Sequence, residues 1–366
     1  MKIGILRLYC GKSGTAGYYN IQEIGIAKEY ARNGHTVDIF LLNNSLRDIE
    51  KMSIAERITL VSLPCKRIGN HGIFDLSVLK RRYIQLLQIN GDNQLYLSRV
   101  LNYCKKNSIA SYCYMGVLKS DNSNKFKRLI MDGITEFNFH SLVNTTIFVK
   151  TPTVLMQLNR KGLDGILAPV GLDSSIIPNI PTNDNLRDEL GYTRSEKILL
   201  FVGRMEAYKS PLSAIDVITR LPQDYNLLMI GSGGMTNAVK KAVSENKLEE
   251  RVRVIERIPN AEIHRYYRMC NALLNFNKHE IFGMSILEAM YQECAVIAMH
   301  APGPDYIIEN GINGWVVENI EEMVKRIEQV TPEMGEKAKK RVEEYFNWSR
   351  MFEQVKDTMA NRGIRL

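Results

Sequence analysis

In the stretch NFNKHEIFGMSILEAM, Glu280 and Glu288 are separated by seven residues, with Gly283 between them. Gly283 divides the pair: Glu280 is predicted in a loop, and a helix is predicted to start near Gly283 or Met284. A helix start leaves N–H groups without acceptors, here those of Gly283, Met284 and Ser285, and such groups suit a diphosphate. Gly283 also lets a ligand approach the backbone closely. Glu288 falls on the second helical turn beside Ile286, Leu287, Ala289 and Met290. A carboxylate on that apolar stripe is costly unless it is paired or bound. A structural ion pair would satisfy it, and so would the vicinal diol of a ribose. Upstream, FVGRMEAYKSP presents Arg204 and Lys209 in the turn 203–209. Arginine offers a planar fork for phosphate oxygens and lysine a point charge. The same two residues would equally suit a solvated turn.

The elements that must position these groups come in two series. Lys2–Leu8 is predicted as a buried strand, Cys10–Tyr19 as a glycine-rich loop, Ile21–Asn33 as a helix capped by Gly34, and Thr36–Leu42 as a second strand. That is a βαβ unit, the first piece of a doubly wound sheet. The pattern restarts at Lys197–Val202, with a helix over 210–220 opened by Pro211. Strands at 226–230, 251–255, 272–276 and 295–299 alternate with helices at 235–246, 260–269 and 284–292. Two such series imply two Rossmann-like domains. Pro169–Ser195, rich in Pro, Asn and Asp, fits the linker between them. Tyr345–Ala360 is predicted as a terminal helix.

The composition is that of a globular protein large enough for two domains. The apolar run Ile3–Leu8, interrupted by Arg7, is too short for a signal peptide or a membrane span. The cysteines at 10, 65, 104, 113, 270 and 294 form no CxxC pair and no zinc spacing, and are read as reduced thiols in a cytoplasmic protein. The net charge of +8 is uneven. Residues 1–170 hold 23 Lys and Arg against 12 Asp and Glu, whereas the remainder is slightly acidic. A solvated surface accounts for this excess, and so does a face for an anionic partner such as lipid headgroups. Lys80-Arg81-Arg82 and Lys125, Lys127 and Arg128 are its local sources.

The Glu280…Glu288 pair, with Phe282-Gly283 and Glu288-Ala289-Met290 around it, resembles the E-x7-E signature of glycosyltransferase family 4. FVGR…K resembles that family's diphosphate-binding arginine and lysine, in the right order and with a Gly-Ser-Gly turn between. GTAGYYNIQEIGIAKEYARNGHTVDIF resembles its N-terminal glycine loop, helix and strand. TPTVLMQLNRKG…APVGLDSSIIP, NGINGWVV and FNWSRM fit as well, so the resemblance spans most of the chain. It implies the α/β GT-B fold, two Rossmann-like domains facing across a cleft. Residues 1–170 would form the acceptor-side domain, rejoined by a crossover helix over 350–366, and 171–349 would bind the nucleotide sugar. It implies a hexosyltransferase that keeps the donor's anomeric configuration and uses no cofactor and no metal, in keeping with the lack of a D-x-D motif. UDP is the family's common donor nucleotide. The acceptor would be a glycan or lipid-linked, in bacterial surface polysaccharide synthesis, at the inner face of the membrane.

Carried over by residue, Arg204 and Lys209 would bind the diphosphate, with Gly203 in the same turn. Glu280 would contact the sugar hydroxyls, aided by the backbone of Phe282, Gly283, Met284 and Ser285, and Glu288 would hold the ribose. Gly231 and the Arg257-Ile258 backbone would border the base. Gly17 and Tyr18 would bring the first-domain loop over the phosphates. Where many members place a histidine after a first-domain strand, LIMDGITEFNFH offers Asp132, with His140 beyond it. Asp132 would be an acceptor-side carboxylate or the cap of an Asp-Gly turn. After the E-x7-E helix the family's Gly and Pro are replaced by Glu293 and Ala295, and the next loop reads Ala301-Pro302-Gly303-Pro304-Asp305, stiffer than the usual Gly-Gly. A GT-B sugar phosphorylase or epimerase is the alternative enzyme, although no matching epimerase residue set is found. A basic nucleic-acid-binding protein is the non-enzyme alternative, without a recognised motif.

Overall fold

The apolar run after Met1 forms β1 (Lys2–Arg7), whose middle residues are buried and which is paired on both edges. The computed structural model describes residues 1–10, 22–118, 125–181 and 184–366. The chain divides into two units, Met1–Gly171 with Trp348–Leu366, and Leu172–Asn347.

In the first unit β1 leads to α1 (Gln22–Arg32), β2 (Thr36–Asn43), the hairpin of β3 (Glu50–Ala55) and β4 (Ile58–Pro64), and a small ribbon of β5 (Lys66–Ile68) and β6 (His71–Ile73). There follow α2 (Ser77–Arg81), β7 (Leu86–Asn90), α3 (Leu97–Lys106), β8 (Ala110–Met115), α4 (Lys125–Leu142), β9 (Thr146–Val149), α5 (Pro152–Asn159) and β10 (Ile166–Leu167). The main sheet runs β10-β9-β8-β7-β1-β2-β4-β3 and is parallel except for β3. Parallel strands are covered on both faces, which is why β1, β2 and β7 are largely apolar, interrupted only by the buried Asp38 in β2 and Gln88 in β7. The chain reverses direction across the sheet between β1 and β7, the place where open α/β sheets bind ligands.

The second unit holds α6 (Leu186–Glu189), β11 (Lys197–Val202), α7 (Pro211–Thr219), β12 (Tyr225–Ile230), α8 (Thr236–Glu245), β13 (Val252–Ile255) and α9 (Asn260–Met269). It continues with β14 (Ala272–Asn275), α10 (Met284–Tyr291), β15 (Ala295–Met299), α11 (Pro304–Ile307), β16 (Gly314–Val317), α12 (Ile320–Ile327) and α13 (Pro332–Tyr345). Its sheet is wholly parallel, in the order β13-β12-β11-β14-β15-β16. The direction reverses between β11 and β14.

Two sequence expectations change. The segment Tyr345–Ala360 is not one helix: Phe346 leaves the helical region (φ −116°, ψ 54°), and α14 (Trp348–Ala360) starts anew. That helix belongs to the first unit, where it lies on α1. Gly25 permits the approach, since a Cβ there would lie 2.0 Å from Trp348 Nε1. Tyr30 and Phe352 meet edge to face at 5.5 Å in the same contact. Second, Asp132 does not follow a strand. It lies inside the 18-residue helix α4, because Leu129, Ile130 and Met131 are a helical rather than a strand run.

The Lys80-Arg81-Arg82 cluster is largely committed internally. Arg82 pairs with the fully buried Asp38 at 2.5 Å, joined by Lys2 at 3.1 Å, and Arg81 pairs with Asp75 at 2.9 Å. A buried carboxylate needs such partners, so Arg82 answers a structural demand.

Candidate active site

The site is assembled at the carboxyl ends of β11 and β14, the switch point of the second sheet. The turn after β11 carries Arg204 and Lys209, and the loop after β14 carries Glu280. The residues are far apart in sequence, yet these two strands are direct neighbours. Lys209 Nζ donates to Glu280 Oε2 at 2.5 Å, and Asn277 Nδ2 donates to the same oxygen at 3.1 Å. Asn275 Nδ2 stands at 3.5 Å from it. The Lys209 and Glu280 side chains are 19% and 15% exposed, so the pair is shielded from bulk water but reachable. All three donors meet Oε2 rather than Oε1.

Arg204 is exposed and held by Tyr208. Its Nη2 donates to the Tyr208 hydroxyl at 2.6 Å, and its guanidinium stands 5.4 Å from the ring centre. Lys209 Nζ lies 5.6 Å from the same ring. Tyr208 therefore sits between both cations and offers them the negative face of its ring. The cations do not scatter into solvent as a plain turn would allow.

Gly283 takes φ +100° and opens α10, so the first amides of that helix, including those of Met284 and Ser285, have no intrahelical acceptor. Phe282 is buried beneath them against Phe346. The loop Ala301–Gly303 closes on this turn: Gly303 N donates to Glu280 O at 2.9 Å, and a Cβ on Gly303 would lie 2.1 Å from Phe282 O. The Gly303 amide is thus committed to the Glu280 backbone. His300, just before this loop, bonds Asp305 at 2.8 Å and lies 3.2 Å from Glu318.

Glu288 is half-buried one turn further along α10. Tyr267 Oη donates to its Oε2 at 3.1 Å. Burial first, and then the adjacent Glu288 charge, push the Tyr267 phenol well above its usual range, so it remains a donor at neutral pH. Beside it, burial pushes His264 down to about 4, and its Nδ1 has no hydrogen-bond partner among the described residues. On this side Glu288 therefore accepts from a neutral phenol.

The glycine turns lock the cation loop to its neighbour. Gly203 N donates to Ile230 O, Met205 N to Ser232 O and Met235 N to Met205 O, which extends the β11–β12 contact past the strand ends. Gly231, at φ +138°, packs its Cα on Gly203 O, where a Cβ would fall at 1.9 Å. Its own N–H donates to Ile255 O, the last residue of β13. Arg257 and the buried Ile258 follow that strand, on the same edge as Gly231.

The structure thus brings Gly203, Arg204, Lys209, Glu280, Phe282, Gly283, Met284 and Ser285 to one edge, with Glu288, Gly231, Arg257 and Ile258 around it. Gly17 and Tyr18 lie outside the described residues. Asp132 is on α4, away from a strand end. In the first unit the carboxyl edge carries instead Asn90, the last residue of β7, with Asp92 beyond it, and Met115, the last residue of β8, followed by Gly116. Asp92 accepts from Gly116 N at 2.6 Å and from Val117 N at 3.1 Å. Asn90 Nδ2 donates to the buried Glu23 of α1 at 2.8 Å. Reading SYCYMG as the strand, rather than LIM, would have found this edge, and no histidine follows there. Tyr208, Tyr267, Asn275 and Asn277 were also missed; the paired asparagines of NFN, at a strand end beside Glu280, were the available signal.

Residues 182–346 match the family model described as glycosyl transferases group 1. The alpha-monoglucosyldiacylglycerol synthase of Acholeplasma laidlawii is 25% identical over 145 residues, which are 39% of this chain and 36% of that protein. The chain therefore spans little more than a third of that relative's length. Among solved structures, a sucrose-phosphate synthase from Thermosynechococcus elongatus superposes with a TM-score of 0.75 at 19% identity, covering 98% of each chain. The Anabaena protein HepE, solved in complex with UDP-glucose, gives 0.74 at 18% identity, over 99% of this chain and all of that one. Identities this low speak for the fold, which is GT-B.

Proposed function

We propose that this chain, a GT-B protein whose residues 182–346 match the model of glycosyl transferases group 1, is a retaining hexosyltransferase of the family 4 type. It moves a hexose from a nucleoside diphosphate sugar, with UDP as the nucleotide, to a glycan or lipid-linked acceptor. The observation that carries this reading is the contact between Lys209 Nζ and Glu280 Oε2 beside the open amides of α10. In a sugar diphosphate, a phosphate and sugar hydroxyls are joined through one anomeric oxygen. A cation and a carboxylate held side by side fit the two halves of that linkage. The solved HepE complex carries UDP-glucose, which supports the choice of nucleotide. The name of the Acholeplasma relative supports a lipid acceptor.

In the reaction, the acceptor oxygen attacks the anomeric carbon from the side of the leaving group. The bond from that carbon to the phosphate oxygen breaks, and its electron pair stays on the phosphate. The acceptor's hydroxyl proton passes to that oxygen. Lys209, Arg204 and the α10 amides stabilise the charge that develops on the diphosphate, so no metal is needed. Glu280 holds sugar hydroxyls through Oε1, and Glu288 takes the ribose diol.

The test is a donor panel of UDP-, GDP- and dTDP-hexoses scored by nucleotide release, followed by proton NMR of the product. An α-linked donor should give an α-linked product. An inverted product would overturn the front-face mechanism, and the absence of release from every donor and acceptor tried would overturn the activity.

A further inference from the structure

Helix α4 seats Phe139 and Leu142 on the core, but it also turns polar residues inward and several large apolar ones outward. Its polar Thr135 and Asn138 are 4% and 3% exposed. Thr135 Oγ1 donates to Asn93 Oδ1 at 2.6 Å, Asn138 Nδ2 to Gln94 O at 2.9 Å, and Ser98 Oγ to Asn138 Oδ1 at 2.8 Å. Meanwhile Phe126, Leu129 and Phe137 are 71%, 71% and 67% exposed, and Ile130 is 49% exposed. Positions 126, 129, 130, 133 and 137 fall on one side of a helix, so these side chains form a continuous outer stripe. Val143 extends it just beyond the last turn, at 64% exposed. The helix cannot roll to hide this stripe without breaking the three inner hydrogen bonds. An amphipathic helix of a globular protein ordinarily turns its apolar side inward, so the outward stripe calls for an occupant.

Charge decides which one. The sequence places Lys125, Lys127 and Arg128 in the first turn of α4, within a segment (1–170) that carries 23 Lys and Arg against 12 Asp and Glu. Of the acidic residues on the helix, Glu136 is offset by an ion pair with Lys161. Large apolar side chains flanked by cations are the makeup of a helix that lies in the plane of an anionic lipid surface. A basic stretch of this kind would disfavour a like-charged second copy of the same face. No helix among the described residues is long and apolar enough to cross a membrane. We infer that α4 is an in-plane membrane-docking helix, in which Phe126, Leu129, Ile130 and Phe137 enter the acyl boundary of an anionic bilayer while Thr135 and Asn138 fix the helix to the first sheet. The helix follows β8, on the side of the first sheet's carboxyl edge. A lipid-linked acceptor would therefore reach that edge from the bound surface.

The experiment is flotation of the full chain with vesicles of phosphatidylglycerol and phosphatidylcholine, and with phosphatidylcholine alone. Wild-type protein should float with the anionic vesicles, less so as salt is raised, and weakly with the neutral ones. The triple variant Phe126→Ser/Leu129→Ser/Phe137→Ser should bind roughly 100-fold more weakly, as expected when three large side chains lose their burial. Equal binding by the variant, or no binding by wild type, overturns the assignment. So does sedimentation velocity showing a wild-type dimer that the variant abolishes while lipid binding is unchanged, because the stripe would then cover a second copy. A Leu129→Trp variant keeps the question answerable if the triple variant does not fold. Its added fluorescence should shift to the blue and be quenched by brominated anionic lipid, and unchanged emission counts against insertion. UDP binding, measured on the same proteins, should not change, so a failure here is distinguishable from a failure of the proposed reaction.

Discussion

Replacing Lys209 with alanine lowers kcat about 100- to 1000-fold, the usual cost of removing one preorganised donor from a developing oxyanion. Lys209 is the cation seated against Glu280, and its loss has two consequences. The leaving diphosphate loses a charge, and Glu280 Oε2 is left with only the amide donors of Asn277 and Asn275. Glu280→Ala should bring a loss of similar size, because the carboxylate both aims Lys209 and presents Oε1 to the sugar. The two groups act as one unit, so the double variant should be little worse than either single one. Steady-state kinetics at saturating donor on the three variants, with thermal melts to confirm folding, measure this. Losses that multiply in the double variant would show that Lys209 and Glu280 act independently. Near wild-type turnover by Lys209→Ala would remove Lys209 from the mechanism.

Gly231→Val should be the most damaging change that touches no charged group. Its Cβ would fall 1.9 Å from Gly203 O, and the residue holds φ +138°, which L side chains rarely adopt. Strain of that kind costs about 1–3 kcal/mol. The strain is relieved only if the turn beginning at Gly203 moves away, and that turn carries Arg204. A displacement of about 1 Å at a positioning group can cost roughly 100-fold in rate, so kcat/KM should fall by about that much, with a lower melting temperature. Gly234→Ala is the matched control. Its Cβ would meet nothing nearer than Glu206 Oε2 at 3.4 Å. Its kinetics should stay within about twofold of wild type, since an unstrained change of this kind has little effect. Equal damage at 231 and 234 would mean that the loop responds to any loss of glycine rather than to the Gly203–Gly231 contact.

Much of the second unit was legible in the sequence because its strands are short apolar runs and its helices start at residues with clear roles. Pro211 opens α7 and Gly283 opens α10, and both stand at the predicted position. The division of Glu280 and Glu288 between loop and helix followed from Gly283 alone. What could not be read was pairing. Lys209 meets Glu280 only because β14 crosses to the free edge of β11, and strand order is not written in local pattern. Tyr208 escaped notice for a related reason: its value lies in touching Arg204 and Lys209 together, which a residue-by-residue reading does not reveal. The first unit was harder. Leu129-Ile130-Met131 is an apolar run equally consistent with strand and helix, and the family resemblance points to a strand there, ending at Asp132. On α4 Leu129 and Ile130 face outward, and the strand end lies instead after Met115. The join at Phe346 and Asn347 was hidden because Phe346 and Trp348 both continue the apolar spacing while the backbone turns between them.

The most direct test of the site is calorimetric titration of UDP into EDTA-treated protein, wild type beside an Arg204→Ala/Lys209→Ala variant. The account predicts saturable one-to-one binding to wild type without added metal. It also predicts that the variant binds at least about tenfold more weakly, each charged contact being worth roughly 1.5–3 kcal/mol. Binding that appears only when a divalent cation is restored, or equal affinity in the two proteins, would contradict it.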